Sequence, residues 1–226
     1  MNILGIETSA GHCSIGFAGD GIETLEETDS RKNSFTESVF RLIGDVLKRS
    51  GVDKKDIDGI AVCSGPGSFT GVRVGLSTAK GLAYGLEVPL IGISTFEVLA
   101  HQVPRDHYPL CCVVPYKKDK ISYSIFTGND IKSRPDIREG VWDDLIDLKT
   151  SFCSISVPVD ESIASLLKSL VEDESRIFAN APTGSAAAEI GLKKLKAGIS
   201  DDLADIEPVY MHALKFQKKG SFDPGK

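Results

Sequence analysis

The stretch from Ser64 to Leu86 constrains this chain more than any other. An apolar run of strand length, Ile60-Ala61-Val62-Cys63, leads into it. Gly65-Pro66-Gly67 then turns the chain out of that strand, because glycine permits positive φ and proline fixes φ. Ser68 and Thr70 are suited to cap a helix that runs on to Leu86. Strand, glycine-rich turn and helix bring backbone N–H groups and a helix N-terminus to one spot, which suits an anion such as a phosphate. A tight strand-to-helix turn with no ligand satisfies the same residues. The pattern is not a P-loop, because the spacer and the Gly-Lys-Ser/Thr ending are missing.

The helix after this turn carries Gly71, Gly75, Gly81 and Gly85. Each costs about 1 kcal/mol relative to alanine in a helix interior. On a helical wheel Gly71, Gly75, Thr78 and Gly85 form a bare stripe beside the apolar stripe Val72, Leu76, Ala79 and Ala83. So bare a backbone expects another element packed close against it, either its own sheet or another subunit. An earlier helix is expected over Ser34 to Ser50, with Ser34-Phe35-Thr36-Glu37 as a capping box and Gly51 as the C-terminal cap. Its residues Phe35, Val39, Leu42, Ile43, Val46 and Leu47 recur at helical spacing, and Phe40 broadens the stripe beyond what one sheet needs. The helix is therefore expected to serve both its own core and a partner. A generously buried helix in a monomer is the other reading.

Strands at Asn2 to Glu7, Cys13 to Ala18 and Ile22 to Thr28, the last near an edge, precede that helix. Gly19-Asp20-Gly21 marks the hairpin between the second and third. A strand at Pro89 to Ile93 and a short helix capped by Ser94 or Thr95 complete the order βββαβαβα. That order is the ribonuclease H-like half found in the actin, Hsp70 and sugar-kinase superfamily. The fold expected is α/β with two such lobes, 1–103 and a reduced second lobe 104–226, divided near Pro104-Arg105-Asp106-His107. In the second half, strands are expected at Pro109 to Val114 and where Ile121, Tyr123 and Ile125 alternate with Ser122 and Ser124. Residues 131–150 are charged and show no clear element. Helices near 161–171 and 185–196 flank a strand at 176–179, and 216–226 is expected to be a mobile tail.

The chain has 226 residues, is 41% hydrophobic and carries a net charge of −6, so a core forms without staples. A chain that grips nucleic acid alone is usually basic, so the acidic balance assigns such contact to a partner. Five cysteines with no C-x-x-C spacing do not make a disulfide framework. No apolar run approaches a membrane span and no charged leader is present, so a cytoplasmic location with no membrane contact is expected. The four histidines, His12, His101, His107 and His212, offer no pair one helical turn apart, and there is no Gly-x-Ser-x-Gly elbow. No metal site and no catalytic residue is expected.

Ser64 to Leu86, together with Ile3-Leu4-Gly5-Ile6-Glu7-Thr8-Ser9, resembles the TsaB (YeaZ) family, partner subunits in the synthesis of N6-threonylcarbamoyladenosine in tRNA. The resemblance is strong over about the first hundred residues, and Glu207-Pro208-Val209-Tyr210 is similar to the family's ending. It implies a non-catalytic scaffold that dimerises with and activates the catalytic TsaD subunit, with the TsaE ATPase as third member and tRNA contacted through the complex. Alone, such a chain would form a homodimer. The implied interface is Phe35, Val39, Leu42, Ile43 and Val46 on the first helix, and Val72, Gly75, Leu76, Ala79 and Ala83 on the second. No cofactor would be tightly bound; Thr8, Ser9, Ser64, Gly65, Gly67 and Ser68 would make any weak contact with ATP or ADP. Two positions depart from the family: Asn33 stands where a histidine is common, and Pro115-Tyr116-Lys117 replaces an Asp-Ala-Arg turn. The alternative is an ATP-dependent small-molecule kinase or ATPase on the same fold. It would need a complete second lobe, for which Gly184 and Gly191 are the only candidate adenosine-contacting glycines.

Overall fold

The computed structural model describes residues 1–31, 35–117, 119–128, 135–148, 152, 154–157, 167–168, 171 and 173–211. Its first sheet begins as a meander of β1 (Asn2–Glu7), β2 (Cys13–Gly19) and β3 (Ile22–Asp29). Gly21, at φ +74°, makes the tight turn between β2 and β3. On the other side of β1, strands β4 (Gly59–Gly65) and β5 (Leu90–Ser94) add in parallel, giving the order β3-β2-β1-β4-β5. Parallel neighbours require crossovers. These are α1 (Phe35–Ser50) between β3 and β4, and α2 (Phe69–Leu86) between β4 and β5.

The central strands are buried on both faces. Leu4, Ile6, Phe17, Ile60 and Val62 pack beneath α1 and α2. Ile3, Ala18, Ala61, Cys63 and Ile93 pack against a helix from far along the chain, α5 (Gly184–Lys196). Glycine makes that second layer possible. A Cβ on Gly5 or Gly16 would collide with the backbone of α5 at Gly184, and one on Gly184 would stand 2.5 Å from the Gly16 nitrogen. Ser14 Oγ accepts from the Gly184 N–H at 2.8 Å and fixes the helix start. The last described helix of the expected 104–226 lobe is therefore a layer of the first sheet rather than a flank of the second.

The second sheet contains β6 (Leu110–Lys117), β7 (Lys120–Phe126), β8 (Arg138–Val141), β9 (Ser154–Val157) and β10 (Ile177–Ala179), ordered β10-β9-β6-β7-β8. β6, β7 and β8 form an antiparallel meander, while β9 and β10 extend it in parallel. This repeats the first sheet strand for strand, so the two-lobe expectation holds. A helix α3 (Thr95–His101), opened by a Ser94–Glu97 capping box, lies between the lobes. Its Phe96 and Leu99 pack on Leu110, Cys112 and Val114 of the second sheet. Ser122 and Ser124 on that side are fully buried, so β7 is covered on both faces rather than half-buried as its alternation suggested. Trp142 and Leu145 of α4 (Trp142–Leu148) cover the opposite face.

Within 131–150, expected to hold no clear element, the chain forms β8 and α4. β9 has no counterpart among the expected strands. The proposed capping box at Ser34, most of the expected helix 161–171, and the tail 216–226 lie outside the described residues.

Candidate functional site

The ends of β1 and β4 meet the start of α2. Glu7, Thr8 and Ser9 leave β1 fully or almost fully buried. Glu7 Oε1 accepts from the Ser9 N–H at 2.5 Å and from Ser9 Oγ at 2.6 Å. Thr8 Oγ1 donates to the Gly71 carbonyl at 2.7 Å, and the Ser68 N–H donates to the Ser9 carbonyl at 2.6 Å. Gly67, Gly71 and Gly75 are glycines because Ser9 and Thr8 press against them where a Cβ would sit. Ser68 caps α2 by accepting from the Gly71 N–H at 3.2 Å.

The six residues expected to touch nucleotide are thus brought to one end of the first sheet. Their hydroxyls largely serve the protein itself: Thr8, Ser9 and Ser68 are engaged as above, and Ser64 Oγ donates to the Ile93 carbonyl at 3.3 Å. Gly67 is exposed and Gly65, at φ +98°, is buried. Behind the turn, Thr95 Oγ1 donates to the Pro66 carbonyl at 2.7 Å and lies 3.2 Å from both Ser9 Oγ and Cys63 Sγ. Burial, then the Glu7 charge, push the Cys63 thiol far above its ordinary range, so it is an inert packing group rather than a nucleophile.

The chain's own later segment covers the outside of the turn. The Val209 N–H donates to the Ser64 carbonyl at 2.8 Å. Arg73 stacks 3.7 Å over the Phe69 ring and donates from Nε to the Tyr210 hydroxyl at 2.6 Å, while the Phe69 and Tyr210 rings lie 5.2 Å apart. The sequence singled out Val209-Tyr210 only as a family-like ending. No periodicity links residues so far apart, so the part that Phe69, Arg73 and Thr95 play at the turn could not be read from the sequence.

The ten interface residues are seated inside the first lobe. Phe35, Val39, Leu42, Ile43, Val46, Leu76, Ala79 and Ala83 belong to the core under α1 and α2, and Val72 and Gly75 are also buried. The broad stripe is used up by the chain's own sheet, so what a partner would meet is the row beside it. That row includes Phe40 at 61% exposure and Tyr84 at 78%, with Gly44, Gly81 and Gly85, where an added Cβ would meet nothing within 4 Å. The wheel grouped Gly85 with Gly71 and Gly75; the structure separates them. Among the described residues no cluster of three or more histidine, cysteine, aspartate or glutamate side chains could hold a metal, and no helix is long and apolar enough to cross a membrane.

Two lobes, each a meander extended by parallel strands, with a helix-capped glycine turn at the end of the first sheet, define the ribonuclease H-like, two-lobe fold of the actin-like ATPases. YeaZ from Pseudomonas aeruginosa has this fold, at a TM-score of 0.71 over 93% of this chain and 99% of its own, with 19% identity. TsaB of Escherichia coli (strain K12), a tRNA threonylcarbamoyladenosine biosynthesis protein, is 41% identical over 101 residues, 44% of this chain and 43% of its own length. TsaB of Buchnera aphidicola subsp. Acyrthosiphon pisum is 26% identical over 181 residues, 78% of this chain and 76% of its own. The family model for TsaD, tRNA N6-adenosine threonylcarbamoyltransferase, matches residues 26–130. The chain is similar to the TsaB (YeaZ) proteins in sequence over about its first hundred residues and in fold over most of its length. It spans half or less of the first curated relatives in these matches.

Proposed function

We propose that the chain is a non-catalytic subunit in the making of N6-threonylcarbamoyladenosine in tRNA, which pairs with and activates a TsaD-type catalytic subunit through the outward faces of α1 and α2. The observation that carries this reading is the open side of α2. Gly81 and Gly85 each cost the helix about 1 kcal/mol, and none of the described residues comes near enough to need them. A second helix packed close would need them. Exposed Tyr84 on α2 and exposed Phe40 on α1 add one large apolar side chain to each of the two outward faces. The relatives' names supply the pathway.

On this reading the same face holds a homodimer when the chain is alone, and homodimer and mixed complex compete. A TsaE-type ATPase joins as third member, and tRNA is gripped by the complex, consistent with a net charge of −6 here. ATP or ADP meets this chain only weakly, at the glycine turn, and the complex works in the cytoplasm.

Sedimentation of Gly81→Leu/Gly85→Leu, alone and mixed with the TsaD-type subunit of the same cell, tests the pairing. Both assemblies should weaken by on the order of tenfold or more while the monomer stays folded, as expected when a close helix contact is overpacked. A mixed complex of parental strength would overturn the proposed face. Phosphate release from ATP by the chain alone would instead support the kinase or ATPase reading.

A further inference from the structure

Arg73 is held unlike the other described arginines. Arg31, Arg41, Arg49, Arg138 and Arg176 each face a carboxylate, and Arg105 donates to the Gly128 carbonyl. Arg73 faces no carboxylate among the described residues. Its Nε donates to the Tyr210 hydroxyl at 2.6 Å, and its guanidinium lies 3.7 Å over the ring of Phe69, one helical turn earlier. Neither of its Nη groups has a hydrogen-bond partner there. The side chain is exposed, as are both rings, yet its plane is fixed by the Phe69 ring and the Tyr210 hydroxyl. A guanidinium fixed in this way leaves its Nη edge free to hold a carboxylate with two parallel bonds. Much of the side-chain freedom that binding takes from an arginine is already lost in the free chain.

The fork also lies on the outward side of α2. Arg73, Ser77, Gly81 and Tyr84 recur at intervals of three or four, and all four are exposed. At 1.5 Å per residue, Arg73 stands about 12 Å along the helix from Gly81. A second helix seated on Gly81 and Gly85 at the common angle of about 20° drifts sideways by only about 4 Å over that length, within the reach of an arginine. α2 contains no aspartate or glutamate, so the fork is left for an acid brought by another chain. We propose, on the pairing reading above, that Arg73 is the charged anchor of the partner face. Its Nη groups take an aspartate or glutamate on the docked helix of the TsaD-type subunit, about two turns from the residue seated over Gly81. Phe69 and Tyr210 are positioning residues, and an arginine set among exposed aromatic rings has the composition of a binding hot spot.

Sedimentation of the full chain mixed with the TsaD-type subunit of the same cell, at about 0.05 M and about 1 M salt, tests the anchor. Arg73→Gln should weaken the mixed complex by on the order of tenfold at low salt, and its difference from the parent should fall below about twofold at high salt. Arg73→Lys, which keeps the charge and loses the fork, should lie between parent and Arg73→Gln. Tyr210→Phe, which keeps the ring and frees Nε, should weaken the complex by about threefold. Urea denaturation of each free variant checks that it is folded. A complex of parental strength with Arg73→Gln, while Gly81→Leu/Gly85→Leu still disrupts assembly, overturns the anchor and leaves the pairing face standing. Parental strength with both sets of changes overturns the face as well. A loss that salt does not reduce also overturns the anchor, because packing rather than charge is then at stake. So does Arg73-dependent binding of inorganic phosphate or ADP to the free chain, because the fork then serves a small anion.

Discussion

The two glycine pairs of α2 look alike in sequence and do opposite things in the fold. Gly71 and Gly75 lie against Thr8, with Gly71 under its carbonyl and Gly75 under its hydroxyl, and neither site has room for a Cβ. Gly81 and Gly85, three turns on, face open space. The helix-propensity cost is the same at all four positions. At the inner pair it is offset by letting α2 sit close on the end of β1, which also lets Thr8 Oγ1 reach the Gly71 carbonyl. At the outer pair nothing among the described residues offsets it. A glycine stripe on a wheel thus says that something comes close, but the neighbouring elements decide whether that something is the chain itself.

Substitution by alanine should separate the pairs by sign. Gly71→Ala drives a methyl into the Thr8 carbonyl, a backbone atom that cannot swing aside. A loss of about 3 kcal/mol, at the upper end of overpacking costs, is expected from urea denaturation. A neutral result would mean that the inner contact is not close in solution. Gly81→Ala/Gly85→Ala should instead raise the stability of the isolated chain by about 1 kcal/mol for each position, since an alanine in open helix gains propensity without a clash. The same double variant should assemble less well if a partner helix packs there. A stabilised chain that assembles as before would keep the contrast between the pairs but remove its functional meaning.

Much of the first lobe was readable because its periods are clean. Alternating and continuous apolar runs marked β1, β2 and β4, the Gly-Pro-Gly turn marked the switch to α2, and Gly51 and Ser94 sit at helix ends where the sequence put them. How much of α1's broad stripe its own sheet would take was not legible, for a physical reason. A helix laid across β2 and β3 and touching α2 buries more of its circumference than one resting on a single strand. The destination of α5 was hidden more deeply. Its small face, Gly184, Ala187, Ala188 and Gly191, reads as weakly amphipathic, and its meaning appears only when Gly5 and Gly16 are seen opposite. β8, α4 and β9 are short and lie among charges, where a few residues establish no period. At the glycine turn the sequence gathered six residues that the fold does bring together, but it could not show that their hydroxyls bond inward.

The smallest expected effect concerns the outer attachment of α1, and it checks whether inner packing dominates. Asp29, at the end of β3 and only 7% exposed, accepts from Arg31 Nη2 at 2.6 Å, Ser38 Oγ at 2.6 Å and Arg41 Nη2 at 3.0 Å. Bonding to Arg31, then to Ser38, holds its carboxyl well below the usual carboxylate range. A carboxyl depressed by folding contributes stability that is fully present above its unfolded pKa of about 4 and is lost as pH falls towards the folded value. Asp29→Asn should therefore be less stable than the parent at pH 7, and the gap should narrow as pH drops below about 4. The effect should be modest, because Arg31 and Arg41 are 64% and 52% exposed and water screens both. Urea denaturation at a series of pH values reads both the gap and its closing. A loss as large as that from Gly71→Ala would show that α1 is held by its charged rim as firmly as α2 is held by its glycines. The face offered to a partner would then depend on pH, whereas inner packing predicts a face that does not.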